Sequence, residues 1–227
     1  MAPEPLNFTG ATDRKAAGCG PALLQAQLQL GEVVLDLGCG SGREALQAVE
    51  LVGPTGLVFG LDSAAEALIS DASCHPNIRW LRADARAIPL PTTSVDVVFS
   101  NCVLNQIGDK SRALAEVWRI LKPQGRFVFS DIVSCSPANL PRQEMLDTAA
   151  ALLGCTTSVL SQPDYLELMA KAGFQELASA VFTTIPYRLL KERAMHAGSG
   201  ALAALAVWAA NDLQDALASV TFSGRKL

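Results

Sequence analysis

Positions 36 to 42 read Asp36-Leu37-Gly38-Cys39-Gly40-Ser41-Gly42, three alternate glycines with a carboxylate two residues ahead of the first. In the dinucleotide fingerprint G-x-G-x-x-G the third glycine falls five residues after the first, and a helix N-terminus faces a pyrophosphate. Here it falls four after, and Asp36 would repel a phosphate. The turn suits a ligand with a cationic amino group, which a carboxylate can orient while the glycines admit it close to the backbone. Asp62, twenty residues beyond Gly42, stands where an acidic side chain accepts both hydroxyls of a ribose. The second reactive element is sulfur, with six cysteines among 227 residues. That is far below the ~8–10% of a disulfide scaffold, and a reducing compartment would keep them as thiols. Each is therefore a small core hydrophobe or a ligand. Two histidines and no C-x-x-C pair argue against zinc. Cys39, between glycines, and Cys135, near Pro137, read as space-filling, whereas Cys74, next to His75, is a loop thiol that could be reactive or bind a metal.

The elements that must position these groups alternate. A short β-branched strand over 32–35 feeds the glycine turn and a helix over 41–51. Strands follow over 57–61, 78–81 and 95–99, with a helix over 64–69 between the first two. A helix over 109–121 puts Leu114, Val117, Trp118 and Leu121 on one face, and Pro123-Gln124-Gly125 is expected to stop it before a strand over 126–132. Beyond Ser134 come a Pro-punctuated linker, helices over 142–153 and 163–172 closed by Gly173, and late strands over 176–185 and 219–222 flanking an Ala-rich helical segment. This order predicts an α/β fold, a Rossmann-like open sheet of about seven mainly parallel strands with helices on both faces and a small C-terminal appendage. Its ligand crevice lies at the carboxyl ends of the strands. Residues 1–20 read as an arm or loop.

Half the residues are hydrophobic, which excludes wholesale disorder. The longest apolar run, 201–210, is about half the ~20 residues that cross a bilayer, and no signal-peptide order opens the chain. A net charge of −4 with scattered Lys and Arg gives no attraction to nucleic acid. A soluble, cytoplasmic protein with a small-molecule substrate is expected, without membrane or nucleic-acid partners.

Together, residues 34–42, Gly60-Leu61-Asp62 and Arg82-Ala83-Asp84-Ala85 resemble the cofactor motifs of class I S-adenosylmethionine-dependent methyltransferases. The resemblance implies a site for S-adenosylmethionine, the methyl donor, formed by Asp36, Gly38, Gly40, Gly42, Arg43, Asp62, Ser63, Asp84, Ala85 and Asn101. Asp84 would address the adenine amino group and Ala85 the ring plane. Gly18-Cys19-Gly20, Ser100-Asn101-Cys102-Val103-Leu104-Asn105 and Gly154-Cys155 resemble the arsenite methyltransferases in particular. Carried over, Cys19, Cys102 and Cys155 become the catalytic thiolates that bind trivalent arsenic as substrate, in keeping with the affinity of soft centres for sulfur. Residues 1–134 would form the arm and donor-binding core, and 135–227 the helices and closing strands that contribute to the substrate site. No cysteine precedes Cys19, and Thr156-Thr157-Ser158-Val159 follows Cys155 where the family has a Gly-Gly-Ala type sequence. The redox role of an upstream thiol would then fall on Cys39, Cys74 or an external thiol such as glutathione or thioredoxin, and either monomethylation or turnover dependent on that external thiol is expected. Two other readings remain: methylation of a small organic molecule with Cys102 and Cys155 lining an apolar pocket, and a non-catalytic thiol-based metalloid binder.

Overall fold

The computed structural model describes residues 19–64, 75–135, 159–185, 187–197 and 217–227. The helix expected over 142–153, the Ala-rich segment, and all but the first residue of the helix expected over 64–69 lie outside them, as do Cys74 and Cys155. In chain order the elements are α1 (Ala22–Gln25), β1 (Val33–Leu37), α2 (Arg43–Val52), β2 (Leu57–Asp62), β3 (Ile78–Arg82) and β4 (Val95–Asn101). Then come α3 (Lys110–Ile120), β5 (Leu121–Ser134), α4 (Gln162–Lys171), β6 (Gln175–Thr184), α5 (Tyr187–Ala197) and β7 (Leu217–Arg225). Among the described residues seven strands make one sheet in the order β3-β2-β1-β4-β5-β7-β6. The first five are parallel, and β7 runs antiparallel between β5 and β6.

A parallel sheet covered on both faces needs strands apolar on both sides, and β1 supplies Val34, Leu35 and Leu37 with no exposed surface. Successive side chains point to opposite faces. Leu35, Leu37, Phe127 and Phe129 pack with Leu114 and Val117 of α3 and Tyr165 of α4. Val34, Val58, Phe99 and Val128 pack with Ala45, Val49 and Val52 of α2 on the other face. α4 begins with a capping box, Ser161 accepting from Asp164 N and Asp164 accepting in return, with Pro163 in its first turn. Trp118, expected on the buried face of α3, is partly buried and carries Lys226 Nζ 4.0 Å over its ring.

Two expectations are corrected. Pro123-Gln124-Gly125 does not stop α3, which ends at Ile120, because Leu121 is already extended and pairs with Val95. The triplet lies within β5 as a bulge: register jumps from Val95↔Leu121 to Val97↔Arg126, and Gln124, at φ 66°, donates its N–H to Lys226 O over 2.6 Å. The last strand, expected over 219–222, extends over nine residues because β5 offers it a full-length partner from Arg126 to Ser134. No helix among the described residues is long and apolar enough to cross a membrane.

Candidate functional site

The chain adds β2 and β3 on one side of β1 and then crosses to β4 on the other. In open α/β sheets such a reversal opens a crevice between the loops that leave the two strands. Here those loops are 38–42 after β1 and 102–107 after β4, one carrying the glycines and the other a cysteine.

The glycine turn is held by β2. Gly38 N and Cys39 N both donate to Leu61 O, at 2.7 and 3.0 Å. Asp62 Oδ2 accepts from Gly40 N and Oδ1 from Ala64 N, each at 2.9 Å. Gly38, Gly40 and Gly42 have φ of 78°, 51° and 79°. Asp36, at the crevice end of β1, is 2% exposed, and its Oδ2 has no hydrogen-bond partner. Burial, then the Glu44 and Asp62 carboxylates, raise its proton affinity well above the usual carboxylate range. A buried acceptor without a donor fits a ligand that brings an ammonium group. Open space beside Gly40, where a Cβ would meet nothing within 4 Å, leaves room for it. The residues present therefore fit an amino-acid-bearing nucleoside such as S-adenosylmethionine. Arg43 and Ser63 are exposed at the start of α2 and after β2, and Ala85 is buried. Asp84 is exposed but engaged: its carboxylate accepts from Arg86 N, Nε and Nη2 at 2.7, 2.9 and 2.6 Å, which pulls it down to about 2.

Asn101, the last residue of β4, is turned toward the arm. Its Oδ1 accepts from Cys19 N and Gly20 N at 2.6 and 3.1 Å, and its Nδ2 donates to Gly20 O at 2.9 Å and to both Glu44 oxygens at 3.2 and 3.3 Å. Ser219 of β7 donates its hydroxyl to Cys19 O. Gly20 lies so close to β5 that a Cβ there would stand 2.7 Å from Ser130 Oγ, so only glycine lets the arm lie flat. These anchors bring Cys19 onto Cys102, which follows β4 at φ 61° and donates its N–H to Ser130 O over 2.9 Å. The two cysteines are joined as a disulfide with Cα atoms 5.3 Å apart. The hydrogen bonds that seat the arm place the two sulfurs within bonding reach. Cys155 lies outside the described residues. Cys39 is buried, and desolvation with the Asp36 and Asp62 carboxylates pushes its thiol far up, which suits a space-filling residue.

Asp131 of β5 was not legible as a site residue. A carboxylate oxygen of Asp131 and the sulfurs of Cys19 and Cys102 lie within 4.8 Å of one another. Fully buried, Asp131 accepts from Asn105 N at 2.9 Å, Ile132 N at 3.1 Å and Tyr165 OH at 3.3 Å, and burial pushes it up to about 7. The available signal was one acid inside the otherwise uncharged buried run Phe127-Val128-Phe129-Ser130-Asp131-Ile132-Val133, since unsupported carboxylates are expensive to bury.

The sequence and the fold are similar to those of known proteins. An arsenite methyltransferase of Halobacterium salinarum is 34% identical over 169 residues, covering 72% of this chain and 42% of that protein. The 2-phytyl-1,4-beta-naphthoquinone methyltransferase of Arabidopsis thaliana is 38% identical over 109 residues, covering 44% of this chain and 42% of that protein. The crystal structure of CrArsM, an arsenic(III) S-adenosylmethionine methyltransferase from Chlamydomonas reinhardtii, superposes with a TM-score of 0.64 at 26% identity. The match covers 94% of this chain and 68% of that one. The chain spans about half the length of the curated arsenite methyltransferases it matches, 42% of one and 58% of another. A family model described as a methyltransferase domain matches residues 28–173. That match runs from β1 through α4 and takes in both crevice loops, more than half of the chain, and it makes the protein a member of the methyltransferase domain family.

Proposed function

We propose that this chain methylates trivalent arsenic with S-adenosylmethionine, converting arsenite to methylated arsenicals in arsenic detoxification. The observation that carries this reading is the convergence of Cys19 and Cys102 against the donor turn. A Cβ at Gly38 would run into Val103, the residue after Cys102, so the donor and thiol loops are in contact. The arsenite methyltransferases among its relatives support the same substrate.

On this reading Asp36 and Asp62 orient the donor by its amino group and ribose, with Asp84, Ala85, Gly38, Gly40, Gly42, Arg43 and Ser63 completing the cradle. When bound, S-adenosylmethionine supplies an electrophilic methyl on a sulfonium. Reduction of the Cys19–Cys102 disulfide by an external thiol, glutathione or thioredoxin, frees two thiolates, and Cys155 is the third. Three thiolates hold As(III) as a pyramid and aim its lone pair at the methyl. The nucleophile bears no proton, so the chain needs no general base. Alignment is its main contribution, for which well-oriented reactions gain ~7–11 kcal/mol. Arsenic emerges two electrons oxidised, and the external thiol returns them.

The test is to reduce the purified protein, add S-adenosylmethionine, As(III) and thiol, and speciate the arsenic. Methylated arsenic that disappears with Cys102→Ser is expected. Stoichiometric As(III) binding without methylated product would instead assign the thiols to metalloid binding, and neither binding nor product would return the acceptor to a small organic molecule.

A further inference from the structure

We propose that Asp131, Asn105 and Tyr165 form a buried positioning unit that holds Cys102 at the place where its sulfur meets that of Cys19. The proposal rests on the reading of these cysteines as arsenic ligands and names what fixes their geometry.

Cys102 leaves β4 in the left-handed region, and the segment after it is a single 3-10 turn, Leu104–Gln106, closed by Gln106 N to Val103 O at 2.8 Å, Ile107 N to Leu104 O at 3.1 Å and Gln106 Nε2 to Cys102 O at 2.7 Å. Neighbouring elements bond it further. Asp131 of β5 accepts the Asn105 N–H at 2.9 Å, and Asn105 Nδ2 donates to Ile132 O at 2.7 Å. Tyr165 of α4 donates its hydroxyl to Asn105 Oδ1 at 2.7 Å and reaches Asp131 Oδ2 at 3.3 Å. Lys110, buried at the start of α3, donates to Ile107 O at 3.1 Å where the turn ends. Asp131, Asn105 and Tyr165 have no exposed surface.

A satisfied polar triad in a core can also be a relic with no role beyond its own hydrogen bonds. Two features separate this one. Three of its bonds, from Asp131, the Ile132 carbonyl and the Tyr165 hydroxyl, end on Asn105 in the turn that follows Cys102. The carboxylate at its centre lies within 4.8 Å of both sulfurs. The cysteine on the arm is seated by Asn101 and Ser219, on β4 and β7, so two separate sets of bonds hold the two cysteines where their sulfurs meet. α4, far along the chain, thereby acts on the thiol site through one hydroxyl.

Tyr165→Phe removes that hydroxyl and keeps the ring against Phe129 and Phe222, whose centroids lie 5.3 and 5.2 Å away. The readout is the thiol–disulfide equilibrium of the Cys19–Cys102 pair with glutathione in the full chain, which reports the effective concentration of one thiol at the other. Tyr165→Phe and Asp131→Ala are expected to lower it about tenfold or more, while Asp131→Asn, which still accepts from Asn105 N, stays within about threefold. Ser161→Ala, which removes the cap of the same helix, is expected to lower thermal stability and leave the equilibrium unchanged. An unchanged equilibrium in Tyr165→Phe, or an equal fall in Ser161→Ala, would overturn the proposal. The equilibrium is independent of arsenic: a wild type that makes no methylated arsenic defeats the functional reading, and Tyr165→Phe still decides the positioning.

Discussion

Asp36, next to last in β1, has one carboxylate oxygen without a hydrogen-bond partner, while Glu44 and Asp62 add negative charge around it. Ionised and without a cation, it opposes folding. Its retention makes sense only with a ligand, because the same charge becomes an attraction once an ammonium group arrives. Asp36→Asn is therefore expected to stabilise the unliganded protein by ~1–2 kcal/mol in urea unfolding, since it removes a buried charge and keeps an oxygen at the site. S-adenosylmethionine binding should weaken about tenfold or more in calorimetric titration, the loss of a charge-assisted bond. A destabilised variant that binds the donor normally would refute the role. Asp131, also deeply buried, is supplied with three donors. The two acids differ correspondingly in how readable they are. Asp36 precedes a glycine spacing that points to a ligand, whereas Asp131 sits mid-strand and acquires meaning only when Cys19 and Cys102 are brought to it from 112 and 29 positions away.

The loops after β1 and β4 are coupled through one missing Cβ. Gly38, at φ 78°, faces the Val103 side chain, so a methyl there both strains the backbone and displaces the residue beside Cys102. Gly40, at φ 51°, faces open space. Gly40→Ala should cost about 1 kcal/mol, the left-handed conformation alone, and Gly38→Ala about 2–4 kcal/mol, both measured by chemical denaturation. Gly38→Ala is further expected to impair donor and As(III) binding together, measured separately by titration. Equal destabilisation by the two variants would mean that the loops do not press on each other. Local pattern sufficed for β1 to β4 and for α2 to α4, because each buries a repeating apolar stripe. It failed at Pro123-Gln124-Gly125, where Leu121 had a strand partner in Val95 that no local signal reveals. It also fell short at β7, whose length is set by the facing edge of β5. The seat of the arm was equally hidden, since Asn101 and Ser219 lie 82 and 200 residues from Cys19.

The molecule buries Asp36 and Glu44 at the reversal of its sheet, and these two carboxyls contribute to how its stability responds to pH. Asp36 and Glu44 ordinarily titrate at 3.8 and 4.5, and in the fold burial raises both, most strongly at Asp36. Between those values and the raised ones the folded state holds protons that the unfolded state has lost, so stability falls as pH rises through the interval. Asp131, pushed up to about 7 by burial, acts in the same direction. Asp84, held down to about 2 by Arg86, and Glu116, lowered by Arg119, act oppositely. Their contributions are complete above the ordinary carboxylate range and vanish only as pH falls through the lowered values, so they do not counter the first effect above about pH 4.5. The unliganded protein should therefore melt highest near pH 5 and progressively lower toward pH 8 in scanning calorimetry. Asp36→Asn should flatten that slope. Saturating S-adenosylmethionine should flatten it as well, because a bound ammonium favours the ionised carboxylate and its binding releases the proton at mildly acidic pH. A melting temperature that climbs from pH 5 to 8, with a slope indifferent to both the substitution and the donor, would show that these carboxylates are solvated and that the crevice is not built around a cation.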